Sequence, residues 1–422
     1  MLKGAIVDEY LIKGGNKLSG KVKISVSKNA VLPIMCASIL TKETVYIKEC
    51  PKIADVFAMI DILNSLGVKT EFLEDGLYIN ANTINSFVVK KELADRLRAS
   101  SVFLGALTAR TGKALLFYPG GCKIGERPLD IHIKILKSFG VNVTETKDSI
   151  LTERTKIKGK EIRLDFPSVG ATQNAIMIAL FAEGKTTLEN CAREPEIEDF
   201  CNFLISMGAK IVLDKRGIIV IEGCCKLHGT EYKPISDRIE AGTFLLAPAI
   251  CGGEIEISGI NTENIFCLLT KLCENTCKIT IKNDIIYLKS AGVKKPFVVS
   301  TGPHPKFPTD LQAPISVLAC LSHGVSVIEE TIFSNRFLHV PYLKKMGAKI
   351  EVKENCAFIS GVSGLRGAEV SVTDLRAGAA LVLAGLSADG ETLVKNVYHI
   401  KRGYENFTDK LKALGADIFE RY

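Results

Sequence analysis

A glycine-rich stretch, YPGGCKIGERPLDIHI from Tyr118 to Ile133, places a cysteine among basic residues. Pro119 and the glycines around it predict a loop, and loops often display functional side chains. Cys122 lies in this loop with Lys123 and Arg127 nearby, and neighbouring cations lower the pKa of a thiol and raise its reactivity. The stretch therefore predicts a reactive thiol, although a cysteine that only fills apolar space would leave the same signal.

Several basic residues are suited to bind anions. Lys28 and Asn29 stand before an apolar helix in SVSKNAVLPI, where a lysine opposes the helix dipole. That placement indicates an anion held there with the backbone N–H groups, and a solvated lysine would explain it equally well. Single arginines also stand in apolar or small-residue stretches, at Arg98, Arg238, Arg336, Arg376 and Arg402. Because a guanidinium binds carboxylate and phosphate with two parallel hydrogen bonds, this set predicts a substrate with several negative charges.

A carboxylate stands in the proline-rich segment PHPKFPTDLQAP, from Pro303 to Pro314. Asp310 comes just before a predicted helix, where an aspartate is a good N-cap. The functional interpretation is a general base aimed at a substrate hydroxyl. The segment by itself leaves both interpretations open.

Internal repetition predicts the elements that position these residues. A helix end, a glycine and an alternating strand recur at LNSLGVKTEF, LKSFGVNVTE, LISMGAKIVL, LKKMGAKIEV and LKALGADIFE. The starts are about 70 residues apart when a degenerate copy between the third and the fourth is counted. A degenerate copy, LCENTCKITI, has Thr276 at the glycine position, so its turn is expected to differ. Each unit is predicted as strand, helix, strand, helix, strand, with glycine ending the second helix because it tolerates positive φ.

Six such units predict an α/β (α+β) protein with two lobes of three repeats. A spacing of about 70 residues is too long for an ordinary solenoid. The last copy ends soon after its strand begins, so residues 1–20 are expected to supply missing strands. The predicted lobes are 21–235, which carries the cysteine loop, and the discontinuous 1–20 plus 236–422. A cleft between two lobes is a favourable ligand site.

Composition excludes several other classes. With 47% hydrophobic and 24% charged residues, the chain has the composition of a globular protein, and it lacks an apolar run of transmembrane length. The thirteen scattered cysteines indicate a reducing compartment, so we expect a cytoplasmic protein without a disulfide framework or metal site. The net charge of +7 is spread along the chain and suits an anionic substrate or a nucleic acid. Nucleotide-binding P-loops, dinucleotide-binding GxGxxG and hydrolase GxSxG motifs do not occur.

Motifs along the whole chain resemble the UDP-N-acetylglucosamine enolpyruvyl transferase family, whose superfamily includes 5-enolpyruvylshikimate-3-phosphate synthase. The matching segments are SKNAVLPI, LRASSVFLGAL, PGGCKIGERPLDIHI, FPSVGATQN, AREPEIEDF, SDRIEAGTF, FPTDLQA, FSNRFLHV, TDLRAGAALVLAG and HIKRGYE. The resemblance implies a two-lobed inside-out α/β barrel. It also implies transfer of the enolpyruvyl group of phosphoenolpyruvate to the sugar 3-hydroxyl, with release of phosphate, in peptidoglycan precursor synthesis.

The resemblance also implies site roles. Cys122 matches a proton donor that forms a covalent phosphoenolpyruvate adduct, so no separate cofactor is expected. Asp310 matches a base near the sugar hydroxyl, and Asp374 a carboxylate near the reacting carbons. Phosphoenolpyruvate contacts are implied for Lys28, Asn29, Arg127, Arg336, Arg376 and Arg402, and Lys28 and Arg402 are also counted as catalytic. UDP-N-acetylglucosamine contacts are implied for Arg98, Arg127, Pro128, Leu129, Asp130, Ile131, Ser168, Val169, Gly170, Asp310 and Ile332.

Two positions depart from the family pattern: Val26 stands where glycine is common, and Phe166 where some members have a uridine-contacting lysine. The closest rival function is enolpyruvyl transfer to shikimate 3-phosphate, which the cysteine loop opposes. Two further hypotheses are salt-sensitive nucleic-acid binding and a catalytically silent paralogue. We expect a monomer with small-molecule substrates and neither a nucleic-acid nor a membrane partner.

Overall fold

The structure is a computed structural model that describes residues 9–120, 129–224, 226–290 and 294–421. These residues form two compact units, each with its own hydrophobic core. The first unit lies within 26–235, and the second consists of 9–25 and 236–421. The predicted lobe boundary after residue 20 falls inside a strand of the second unit.

Two N-terminal strands belong to the second unit. They are β1 (Glu9–Lys13) and β2 (Leu18–Lys23). β1 lies between β23 and β24 of the sixth repeat, both defined below, and pairs antiparallel with each. β2 pairs parallel with β15 of the fourth repeat. The N-terminal residues thus supply the strands that these two repeats lack.

Three repeats make the first unit. Their elements are α1 (Lys28–Ala37), β3 (Thr44–Lys48), α2 (Ala54–Ser65), β4 (Lys69–Leu73), β5 (Gly76–Asn80), β6 (Val88–Val89), α3 (Lys91–Ala94), α4 (Phe103–Thr111), β7 (Lys113–Phe117), α5 (Asp130–Ser138), β8 (Asn142–Glu145), β9 (Ser149–Glu153), β10 (Glu161–Arg163), α6 (Val169–Ala179), β11 (Lys185–Glu189), α7 (Pro195–Ser206), β12 (Lys210–Asp214), β13 (Ile218–Glu222) and β14 (Thr230–Tyr232). Short 3₁₀ helices span Ser38–Leu40 and Arg98–Val102.

The second unit repeats the same order. Its further elements are α8 (Arg238–Cys251), β15 (Gly253–Ser258), α9 (Phe266–Glu274), β16 (Lys278–Lys282), β17 (Ile285–Lys289), β18 (Val298–Ser300), α10 (Gln312–Cys320), β19 (Val325–Glu329), α11 (Val340–Lys345), β20 (Lys349–Lys353), β21 (Cys356–Ser360), β22 (Glu369–Ser371), α12 (Leu375–Ser387), β23 (Glu391–Lys395), α13 (Tyr398–Lys401), α14 (Phe407–Ala413) and β24 (Asp417–Arg421). Its 3₁₀ helices span Thr262–Ile265 and Thr309–Leu311.

Each described repeat folds into a four-stranded sheet. The strand orders are β14-β3-β5-β4, β6-β7-β9-β8 and β10-β11-β13-β12 in the first unit, and β16-β17-β15-β2, β18-β19-β21-β20 and β22-β23-β1-β24 in the second. In every sheet one pair is parallel, as in β6 with β7, and the others are antiparallel. The predicted unit of strand, helix, strand, helix, strand is therefore present. Each sheet has one strand more than the three predicted. In five sheets this strand completes an antiparallel hairpin, and in the sixth it is β1.

Helices occupy the interior of each unit and the sheets lie outside them. The inner helices are α1, α4 and α6 in the first unit and α8, α10 and α12 in the second, and nearly all of their residues are buried. A helix that is apolar all round must be enclosed, which accounts for its place in the core. A second helix such as α5 is amphipathic and packs its buried face against the inner helix α6. This arrangement confirms the predicted inside-out α/β fold.

The repeated glycines end helices as predicted. The degenerate copy was expected to have a different turn, but its turn is the same. Gly67 has φ of 86° and Gly208 of 95°, in the left-handed region. Thr276 adopts φ of 79°, and the next N–H bonds Leu272 O at 2.9 Å, as Val68 N bonds Leu63 O at 3.0 Å. The expectation of a different turn was wrong, because the repeat geometry imposes this conformation on a β-branched residue at a cost of about 1–3 kcal/mol. None of the helices in the described ranges is long and apolar enough to cross a bilayer.

Candidate functional site

The starts of the inner helices carry most of the predicted anion-binding residues. In the first unit Lys28 begins α1, Arg98 begins the 3₁₀ helix before α4, and Ser168 precedes α6. α1 and α6 both pack against that 3₁₀ helix, so the three segments are neighbours in the first unit. Helix N-termini present unpaired N–H groups and a positive dipole end, which suits phosphate oxygens.

Lys28 is neither fully solvated nor far from a carboxylate. Its ammonium Nζ lies 2.7 Å from Oδ2 of Asp55, and the two side chains are 15% and 3% exposed. Asp55 is in the first turn of α2, where a negative charge is also favoured by the helix dipole. The pairing fixes the Lys28 ammonium at the start of α1, and no local pattern in the sequence indicates this constraint.

A buried asparagine joins three segments of the first unit that carry predicted UDP-sugar contacts. Asn174, in α6, accepts a hydrogen bond from Gly105 N at 2.8 Å and donates to Ser101 O at 3.1 Å. Its Nδ2 is also 2.7 Å from Nδ1 of His132 in α5. The amide thereby ties α6 to the 3₁₀ helix that Arg98 begins and to the first turn of α5. Sequence reasoning missed this residue, because an asparagine inside an apolar helix has many explanations.

His132 fits against Gly170 and is uncharged at neutral pH. A Cβ on Gly170 would lie 2.8 Å from Cε1 of the imidazole, so a side chain there would displace the ring. Burial, helped by the nearby Arg98 cation, lowers the pKa of His132 to about 4. The segment Leu129 to Ile131 begins α5 beside this ring, and Val169 and Gly170 begin α6.

In the second unit the structure brings three predicted residues into one cluster. Asp310 Oδ1 accepts a hydrogen bond from Arg336 Nη2 at 2.8 Å, and its Oδ2 accepts one from Arg376 Nη2 at 2.9 Å. The arginine side chains are 4% exposed and the aspartate side chain 25%. Leu311, not Asp310, occupies the N-cap of α10, so the N-cap interpretation of Asp310 was wrong.

The two guanidiniums decide the charge state of this aspartate. Burial by itself would raise the pKa of Asp310, but Arg376 and then Arg336 outweigh it and hold the pKa well below its usual range. Each guanidinium also lies over an aromatic ring, Arg336 at 5.2 Å from the Phe333 centroid and Arg376 at 5.6 Å from that of Tyr404. These cation–π contacts also stabilise the positions of both guanidiniums.

Two further predicted residues lie close in the fold to Arg376. Asp374 caps α12, since its Oδ1 accepts from Arg376 N at 2.9 Å and Ala377 N at 3.0 Å. Arg402 follows α13, and Ile400 of that helix lies against Gly378 in the first turn of α12. A Cβ on Gly378 would be 2.6 Å from Ile400 Cγ1, so glycine permits this close approach.

Glu330 organises the loop that carries Ile332 and Arg336, and sequence reasoning missed it. Its Oε1 accepts from Ile332 N at 2.8 Å and Phe333 N at 3.2 Å, and its Oε2 accepts from Thr309 Oγ1 at 2.7 Å. Glu330 is 2% exposed. One carboxylate thus links the turn before Asp310 to the loop that presents Arg336.

We expect Glu330→Ala to lower the stability of the protein by about 3 kcal/mol, because two partly buried N–H groups lose a charged acceptor. Turnover should fall as well, since the Asp310 turn and the Arg336 loop lose their link. Glu330→Gln retains an acceptor and can donate to Thr309, so it should recover most of both. Calorimetric unfolding and steady-state rates of the two variants check this, and equal losses in both would contradict the proposed link.

Three predicted residues, Cys122, Arg127 and Pro128, lie outside the described residues. Phe166, at the position of a lysine in some family members, is 43% exposed. Val26 is buried in the first core. Every other predicted site residue is described, and all of them lie at or beside a helix start, a helix end or the Glu330 loop.

Comparisons with known proteins place this geometry in a family. The family model for EPSP synthase (3-phosphoshikimate 1-carboxyvinyltransferase) matches residues 12–411. The chain is 45% identical over 414 residues to UDP-N-acetylglucosamine 1-carboxyvinyltransferase 1 of Clostridium acetobutylicum, covering 98% of this chain and 99% of that protein. It is 45% identical over 418 residues to the protein of the same name from Clostridium perfringens, with 98% and 99% covered.

Solved structures show the same fold at lower identity. The enolpyruvyl transferase NikO from Streptomyces tendae superposes with a TM-score of 0.87 at 23% identity, covering 98% of this chain and 99% of that one. EPSP synthase from Acinetobacter baumannii gives a TM-score of 0.76 at 18% identity, with 98% and 100% covered. The inner-helix architecture, the family model and the near-complete match to curated relatives agree: this chain belongs to the EPSP synthase family and, within it, to the UDP-N-acetylglucosamine 1-carboxyvinyltransferases.

Proposed function

We propose that this chain transfers the enolpyruvyl group of phosphoenolpyruvate to the 3-hydroxyl of UDP-N-acetylglucosamine, releasing phosphate. This is the first committed step of peptidoglycan precursor synthesis. The observation that carries the proposal is 45% identity over 98% of the chain to a transferase named for this reaction. The buried arginine pair and the predicted anion-binding residues at helix starts support it, since both suit a substrate pair rich in carboxylate and phosphate oxygens.

The proposed reaction is an addition followed by an elimination. The sugar 3-hydroxyl loses its proton to Asp310 and its oxygen bonds to C2 of phosphoenolpyruvate, while Cys122 gives a proton to C3. In the second step the bond from C2 to the phosphate oxygen breaks, phosphate leaves with the electron pair, and C3 loses a proton to restore the vinyl group. General acid–base catalysis of this kind contributes about 100- to 10,000-fold in rate.

The other predicted residues stabilise charge in this proposal. Arg336 and Arg376 bind the substrate carboxylate, and Lys28, Asn29, Arg127 and Arg402 bind the rest of phosphoenolpyruvate. Asp374 lies near the reacting carbons. The helix starts joined by Asn174 hold the UDP moiety. Such preorganised cations and N–H groups stabilise charge that develops in the transition state.

The remaining expectations belong to the same proposal. The enzyme works without a separate cofactor, and phosphoenolpyruvate forms a covalent adduct on Cys122. It acts as a monomer in the cytoplasm, with small molecules as its partners. These points rest on the family resemblance and on the cysteine usage of the sequence.

A phosphate-release assay with phosphoenolpyruvate and each acceptor tests the proposal. UDP-N-acetylglucosamine should support release and gain a carboxyvinyl group by mass spectrometry, whereas shikimate 3-phosphate should not. Reactions that lack an acceptor give the background. Release that depends on shikimate 3-phosphate would overturn the acceptor assignment. If neither acceptor supports phosphate release and the protein binds RNA with an affinity that falls as salt rises, a nucleic-acid function is favoured instead.

A further inference from the structure

The two arginines proposed to bind the substrate carboxylate already hold a carboxylate in this structure. Both oxygens of Asp310 are engaged, one by each guanidinium, at 2.8 Å and 2.9 Å. We propose that Asp310 occupies the place of the substrate carboxylate, so that binding exchanges one carboxylate for the other and releases Asp310 to act as the base. This inference rests on the proposed function and adds a coupling between binding and base activation.

The arginines are fixed, and the aspartate is the movable member of the cluster. Arg336 and Arg376 are almost fully enclosed and lie over Phe333 and Tyr404. The Tyr404 hydroxyl is itself held at 2.8 Å from Thr243 Oγ1. Asp310 has a quarter of its side chain exposed and stands in a short 3₁₀ helix, so a change of its side-chain rotamer can carry the carboxylate away.

Charge balance makes an exchange necessary. If Asp310 left without a replacement, two buried guanidiniums would lose their shared counter-ion, which is strongly unfavourable. A second carboxylate can replace both ion pairs, because it offers the same two oxygens to the same two donors. Asp310 therefore leaves when the ligand carboxylate arrives and returns when that carboxylate departs.

The exchange has a direct consequence for the base. In the paired state the guanidiniums hold the pKa of Asp310 well below its usual range, which makes it a weak proton acceptor. Once released, the carboxylate no longer has this stabilisation, and its basicity increases. The base is thus activated only when the substrate carboxylate is in place.

Binding of 2-phospholactate to Asp310→Asn, measured by calorimetry without the sugar, tests the exchange. This saturated analogue has the carboxylate and phosphate of phosphoenolpyruvate but no double bond, so covalent chemistry at Cys122 does not interfere. Asparagine removes the competing carboxylate. Kd should fall on the order of tenfold, which corresponds to a wild-type protein in which paired Asp310 outnumbers unpaired Asp310 by that ratio. An unchanged or weaker Kd would overturn the proposal.

One control variant, Asp237→Asn, separates the exchange from a general charge effect. Asp237 also acts electrostatically on Arg376 and caps α8 through Ile239 N at 2.8 Å. Asp237→Asn removes the same charge and keeps the cap, so its Kd should stay within about twofold of wild type. Equal tightening in both variants would attribute the effect to net charge and overturn the exchange.

A third arm tests the chemistry of the ligand. Isopropyl phosphate lacks the carboxylate, and its Kd should hardly change in Asp310→Asn; equal tightening would overturn the carboxylate assignment.

Should Asp310→Asn fail to fold, infrared difference spectra of ¹³C-aspartate-labelled wild type give a second measurement. A carboxylate band should shift when phospholactate binds, and no shift would contradict the exchange. Neither measurement needs the sugar, so a failed transfer assay does not decide this inference.

Discussion

Cys122→Ser should lose most of the transferase activity, with kcat reduced by about 100-fold or more. A hydroxyl is a far weaker acid than a thiol near a lysine and an arginine, so it cannot deliver a proton to C3 at a comparable rate. The variant should also fail to form the thiol adduct with fosfomycin, an inhibitor of this family. Phosphate-release rates and intact-protein mass spectrometry check the two expectations.

A matched control comes from another cysteine. Cys273 is an exposed thiol near the end of α9, and Cys273→Ser should retain both turnover and the adduct. The buried thiols are poor competitors for the reagent, since burial raises the pKa of Cys191 and of Cys201 to about 12. Full activity in Cys122→Ser would remove this residue from the mechanism.

Asp310→Asn should fold and yet turn over about 100- to 10,000-fold more slowly, because an amide cannot accept the proton of the sugar hydroxyl. The result is most informative beside the binding measurement, since the same variant is expected to bind phospholactate more tightly. A residue that only oriented the arginines would weaken binding and turnover together. Wild-type kcat in this variant would reassign the base.

Asp284→Asn serves as the control for this substitution. Asp284 is exposed in the turn between β16 and β17 with φ of 58°, a conformation that asparagine also tolerates, so turnover should be unchanged.

The stability of Asp310→Asn relative to wild type should depend on pH with a defined sign. The folded pKa of Asp310 lies well below its usual value, so its ion pairs stabilise the protein fully above the unfolded pKa of about 4. Their contribution is lost as the pH falls toward the folded pKa. The difference in unfolding temperature between wild type and variant should therefore be constant above about pH 5 and shrink below about pH 4. A difference that grows on acidification would contradict this assignment.

The repeat architecture was predictable because short local sequence patterns indicate it. A helix-ending glycine such as Gly347, followed by an alternating strand, recurs at a constant spacing, and each copy needs neighbours to bury its apolar helix. Thr276 shows the limit of that reasoning. Local preference argued for another turn, but the packing of the fourth repeat imposes the left-handed conformation that glycine adopts elsewhere.

Candidate chemistry-bearing residues could also be named from the sequence, as residue types in loops and at helix starts. The resemblance named Lys28, Asp310, Arg336 and Arg376, and the structure places each beside a helix start or a connecting loop. The supporting residues could not be found in this way. Asn174 and Glu330 act through contacts between segments far apart in the chain, and their types alone do not distinguish them from ordinary buried polar residues.

By itself, the sequence determined the six repeats and predicted anionic substrates and the residues expected to bind them, because periodicity, helix ends and residue chemistry are local properties. The tertiary structure decided which charges are neighbours. Arg336 and Arg376 are separated from Asp310 by 26 and 66 residues, and only the packing of α10, α12 and the Glu330 loop brings their side chains together. Coulombic interaction depends on distance in space and on burial, so the charge state of Asp310 is a property of the fold.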